Sequence, residues 1–116
     1  MHERTDKTLT LSRGKSRLIL QPQNGALITQ LELTNPDDKP QPIIVPPPSD
    51  IELGAWPDGG NPLLFPFAGR VWSGGRKGYY KVEGDPAVRM IPIHGFAYQK
   101  SFAVKDAGDD YCNLSL

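Results

Sequence analysis

The chain has 116 residues, and its 13 Lys and Arg balance 13 Asp and Glu. It therefore lacks the electrostatic footprint that nucleic acid or an anionic membrane surface would require. That length suits one domain rather than two, and a small neutral partner fits it better than a polyanion.

With 12 Gly and 12 Pro, about a fifth of the chain is turn-forming, below the level of disordered low-complexity sequence. Aromatic residues interleaved with short aliphatic runs point to a packed all-β domain of short strands. Cys112 is the sole cysteine, so no internal disulfide can form, and a lone thiol fits a reducing compartment. Residues 1–7 are polar and mixed in charge, with no apolar stretch of signal-peptide type behind them. No run approaches the ~20 apolar residues of a membrane helix. A cytoplasmic location is expected.

Residues 1–7 read as a flexible tail ahead of a domain over 8–116. Ser16 to Gln21, with Leu18, Ile19 and Leu20, reads as a strand, and Pro22-Gln23-Asn24-Gly25 supplies turn chemistry. Ala26 to Thr34 alternates, with Leu27, Thr29, Leu31 and Leu33 on one face and Ile28, Gln30 and Glu32 on the other. That period of two predicts a half-buried strand paired with the first as a hairpin. A helix competes, because Leu27, Ile28 and Leu31 also fit helical spacing, but the turn lead-in and β-branched content favour the strand.

Pro42 to Val45 reads as a short strand, and residues 46–62 as a Pro- and Gly-rich loop. Loops of that length are often functional or mobile. Pro62 to Val71 is apolar but interrupted by Pro66 and Gly69, which excludes a helix. Ser73 to Gly78 is a Gly-rich connection without the Gly-Lys-Ser/Thr ending of a phosphate loop. Strands follow at Tyr79 to Glu83, Phe102 to Lys105 and Tyr111 to Leu116, with an apolar segment at Met90 to Ile93. The alternation is still running at Leu116, without the Pro or charge that normally protects an edge. This predicts either a chain that continues or a strand completed by a second chain.

Two segments carry a family resemblance: Gly60-Asn61-Pro62-Leu63-Leu64-Phe65-Pro66-Phe67-Ala68-Gly69-Arg70-Val71 and Ile93-His94-Gly95-Phe96-Ala97. They resemble the Leu-Phe-Pro…Gly-Arg-Val and His-Gly-Phe motifs of the aldose 1-epimerase (galactose mutarotase-like) family. Gly78-Tyr79-Tyr80…Gly84 resembles the strand between them, and Leu18 to Leu33 the opening strands. The resemblance implies an antiparallel β-sandwich of galactose mutarotase-like type, of which this chain is the N-terminal part, with a sugar on a concave face.

It also implies an isomerase of carbohydrate metabolism that interconverts the α and β anomers of a hexose such as galactose, without a cofactor. A base removes the anomeric proton, an acid protonates the ring oxygen, and the opened ring recloses on the other face. By motif, Arg70 donates hydrogen bonds to sugar hydroxyls. His94 binds near the ring oxygen and serves as a catalytic imidazole, a group that titrates near neutrality. Full-length members place a second His, an Asp and a Glu further along, and this sequence stops before them. His2 does not match that second His. Half of such a constellation is expected to be nearly inert, so a non-catalytic sugar-binding module, or a subunit pairing through its last strand, is the alternative.

Other residues have plainer readings. Outside its motif, His94 would pass for a histidine satisfied in a turn, and Arg70 for a surface Arg. Asn61 reads as a loop residue. Trp56, Trp72 and Phe96 suit a sugar ring, but aromatics in a small β domain are usually core. Arg76 and Lys77 are candidates for a sugar phosphate. Cys112 reads as a small core residue, and two His with one Cys give no metal-ligand spacing.

Overall fold

The computed structural model describes residues 3–4, 8–48, 52 and 54–116. The first sheet has five antiparallel strands in sequence order: β1 (Glu3–Arg4), β2 (Leu9–Arg13), β3 (Ser16–Gln21), β4 (Leu27–Thr34) and β5 (Pro40–Pro42). Residues 3–4 thus belong to the sheet through Arg4 opposite Leu9, although they fall in the predicted tail. The rest of that tail lies outside the described residues. β2 and β3 pair from Leu9–Leu20 to Arg13–Ser16, a register closed by the tight turn at Gly14.

The β3–β4 hairpin forms as the alternation predicts, with one correction. Its register steps from Ile19 opposite Gln30 to Leu20 opposite Ile28, leaving Thr29 in a bulge. A bulge adds one residue to one strand and breaks the period of two. Ile28, grouped by sequence with Gln30 and Glu32, instead lines an apolar trough beside Leu11, Leu18 and Leu20. The extra residue is anchored, because the Thr29 hydroxyl donates to the Ile19 carbonyl at 3.3 Å.

β5 lies earlier than the predicted 42–45 segment. Proline is tolerated on an edge strand, where no ladder N–H is needed, and Pro40 and Pro42 flank Gln41 there. Ile43 and Val45 are left exposed.

The remaining strands form three separate hairpins: β6 (Trp72–Ser73) with β7 (Arg76–Lys77), β8 (Tyr79–Lys81) with β9 (Val88–Met90), and β10 (Ala103–Ala107) with β11 (Cys112–Ser115). β10 runs two residues past its predicted end, and a register shift between Val104 and Asp106 accommodates it. A three-residue 3-10 turn, Ala97–Gln99, is the helical content of the described residues. The fold is antiparallel and nearly all β. Among the described residues no helix is long and apolar enough to cross a membrane.

The buried core is small: Leu9, Leu20, Leu27, Ile91, Ala97 and Tyr98. Leu9, wholly buried, sits opposite Leu20 of β3, the middle strand of the sheet. The β3–β4 turn docks on the segment around the 3-10 turn, through Gly25 N–H to the Lys100 carbonyl (2.7 Å) and Phe102 N–H to the Pro22 carbonyl (2.9 Å). At Gly25, φ is +66° and an added Cβ would collide with the Tyr98 backbone, so only glycine permits this docking. The radius of gyration is 16.9 Å, against about 13 Å for a tightly packed domain of this length. The difference agrees with the exposure of Leu63, Phe65, Trp72, Met90 and Ile93.

Candidate functional site

The two motifs lie side by side through main-chain contacts. Phe65 forms a parallel bridge with Gly95, and its carbonyl accepts from Phe96 N–H at 2.9 Å and Ala97 N–H at 3.2 Å. His94 N–H donates to the Gly69 carbonyl at 3.0 Å. Gly95 sits at φ +81° with no room for a Cβ against Phe65. Glycine at 95 is therefore required by backbone geometry at the crossing. Phe65 and Phe96 close it edge to face, with ring centroids 6.0 Å apart.

His94 is held in the left-handed region at φ +69°, a conformation that costs a non-glycine residue roughly 1–2 kcal/mol. The surrounding bonds determine it. Its Nδ1 lies 2.8 Å from the Ala68 carbonyl, an acceptor only, so Nδ1 carries the proton and donates. Nε2 then has its lone pair in the neutral ring or a proton in the imidazolium. Among the described residues no group bonds Nε2 and no buried side-chain polar atom lacks a partner. Nε2 is therefore reachable from solvent.

Arg70 follows Gly69 directly, one residue beyond the carbonyl that binds His94 N–H. Its side chain is exposed, and among the described residues it forms no ion pair. The backbones of the two predicted site residues are thus adjacent, with the guanidinium projecting to solvent.

Trp56 was not singled out above its fellow aromatics by sequence, yet it stacks on the His94 imidazole. The ring centroids are 4.5 Å apart and the planes 21° from parallel. Tyr98 meets the indole edge-on at 5.3 Å and 87°. The core reading fails for both tryptophans: Trp56 is 47% exposed and Trp72 62%. Trp72 lies on a two-residue strand of a separate hairpin, and Trp56 in the loop ahead of Asn61. The Pro/Gly-rich loop composition around Trp56 has no periodicity that could have marked it.

Asn61 does hold its loop, exchanging two main-chain bonds with Ile28 (2.8 and 3.2 Å). Arg76 lies 4.0 Å over the Tyr79 ring, a cation–π contact that gives its guanidinium an intramolecular partner. Cys112 is half-buried, and burial pushes its thiol up, the wrong direction for a nucleophile. Among the described residues no group of His, Cys, Asp and Glu could hold a metal ion.

A separate feature is the apolar trough of about 370 Å³, lined by Leu11, Leu18, Leu20 and Ile28 of the sheet and Cys112 and Leu114 of β11. Arg70 and His94 are not among its walls. Comparison of the chain with protein-family models, curated proteins and solved structures finds no match.

Proposed function

We propose that the chain is a hexose-binding polypeptide of aldose 1-epimerase type, the N-terminal part of a mutarotase-like β-sandwich. In this reading Arg70 donates to sugar hydroxyls and His94 Nε2 meets the ring oxygen, as imidazolium donating the proton that opens the ring. The observation that carries it is the crossing of the two motifs. His94 N–H is bonded to Gly69 and Nδ1 to Ala68, which leaves a single ring nitrogen available on a residue whose backbone adjoins that of Arg70. A second acid and a carboxylate base, which the resemblance calls for, have no motif match in these 116 residues. Sugar binding with little exchange is the expected behaviour of this chain by itself.

Saturation-transfer NMR with galactose and glucose tests binding, and the approach of freshly dissolved α-anomer to equilibrium tests exchange. His94→Ala and Arg70→Ala should each weaken binding by about tenfold, the value of one charge-assisted hydrogen bond. A hexose phosphate serves as a parallel ligand, since Arg76 and Lys77 flank the β6–β7 turn. Absence of transfer to every sugar would sink the proposal, and transfer unchanged in both variants would remove these residues from it.

A second reading, self-association through β11, draws support from the trough. β5 is guarded by prolines and β9 carries Arg89, whereas Cys112–Ser115 has neither charge nor proline. Two copies of β11 in antiparallel register would set Cys112 opposite Leu114 and Asn113 opposite itself, without like charges in contact. Sedimentation velocity should show a dimer that Leu114→Lys dissociates. A monomer throughout the micromolar range would end this reading.

A further inference from the structure

We propose that Trp56 is a positioning residue for His94, and that its exposed indole forms part of the surface on which a sugar lies. The second clause rests on the hexose reading above, whereas the first does not.

An imidazole attached at Cβ must be fixed in two respects before Nε2 points in one direction. The bond from Nδ1 to the Ala68 carbonyl (2.8 Å) fixes one in-plane direction, but the ring can still swing about that bond. Stacking on Trp56, 4.5 Å away and 21° from parallel, fixes the plane, in the offset geometry that aromatic pairs favour. Together they determine where Nε2 lies.

Trp56 is itself seated. Tyr98, buried in the 3-10 turn that begins three residues after His94, meets the indole edge-on. The adjacent Pro57 is buried, and this stretch closes against Asn24, Gly25, Leu27 and Pro62 around a void of only about 10 Å³. The β3–β4 turn therefore faces Ala55 and Pro57, on either side of Trp56, and Tyr98, its edge-on partner. A tryptophan serving only to fill a core would be hidden, yet nearly half of this one faces solvent. A flat apolar surface beside a polar ring nitrogen suits a pyranose, which has an apolar C–H face and a polar rim.

The experiment follows the His94 ring protons and nitrogens by NMR in the 116-residue chain, with His94→Gln identifying its signals against those of His2. The native protein should show ring protons displaced upfield by the indole and, at alkaline pH, the Nδ1–H tautomer. Trp56→Leu should abolish the displacement and mix the tautomers, with the backbone amides of β2 to β4 unmoved. Trp56→Phe should retain both signatures. Hexose affinity should fall roughly threefold to tenfold in Trp56→Leu and recover in Trp56→Phe. A retained Nδ1–H tautomer in Trp56→Leu would overturn the positioning role, because the upfield displacement is lost with the indole in either case. Lost stacking with full sugar affinity would overturn the contact with sugar. Mixed tautomers in Trp56→Leu of a protein that binds no hexose would uphold the positioning role while defeating the hexose reading.

Discussion

Between Leu9 and Thr34 the chain makes three strands of 5, 6 and 8 residues, and Leu9, Leu20 and Leu27 on them are buried. Between Trp72 and Met90 the strands have only 2 or 3 residues, and large apolar side chains stay exposed. From Phe65 to Ala97, the stretch that contains these strands, main-chain bonds tie the crossings: Phe65 to Phe96 and Ala97, Gly69 to His94, Val71 to Gly78, and Gly78 to Ile91. Side-chain burial stabilises the first region and backbone fit the second, so the two should respond to different kinds of substitution.

The largest expected effect tests the first region. Leu9→Ala removes a fully buried side chain and should cost about 4 kcal/mol in urea unfolding. A cost below about 1 kcal/mol would mean the sheet is not the stabilising half. Gly95→Ala tests the second through backbone fit. It forces a Cβ into a positive-φ position against Phe65 and should cost about 3 kcal/mol, with the His94 ring signals shifted and the β2–β4 amides in place. Phe65→Ala deletes a large but 54% exposed side chain and should cost only about 1 kcal/mol, the order of its edge-to-face contact with Phe96. A loss matching that of Leu9→Ala would erase the distinction.

The smallest effect is a pH response at β8–β9. The Arg89 guanidinium, 2.7 Å from the Asp85 carboxylate, and then the Ala87 N–H hold that carboxyl below its usual range. A folded pKa below the unfolded one gives stability that is present above about pH 4 and lost as pH falls through the lower folded value. Chemical shifts of the β9 amides should report this local loosening in acid, and Asp85→Asn should remove it. Because the pair is exposed, the effect on global unfolding should be slight.

The sequence made the β3–β4 hairpin legible because long alternation and an Asn-Gly turn agree there. β2 was harder to see, since Thr10 and Ser12 dilute its leucines, and its pairing emerges only against β3. The bulge at Thr29 left no local mark, because its position depends on two registers at once. The strand read at Pro42 to Val45 begins two residues earlier, where the prolines fit because it lies at the sheet edge. At the site, the two motifs indicated Arg70 and His94. The partnership of Trp56 with His94 arises from loop docking, which no periodicity encodes.

The imidazole of His94 takes its bearing from the peptide oxygen of Ala68, not from a neighbouring acidic side chain. Exchanging the residue at 68 for another would keep that oxygen, so the alignment is insensitive to most point changes there. A one-residue insertion or deletion between Phe65 and Arg70 would put the wrong oxygen opposite the ring. In this stretch spacing is under tighter constraint than residue identity, and length variation is the kind of change that would misalign the imidazole.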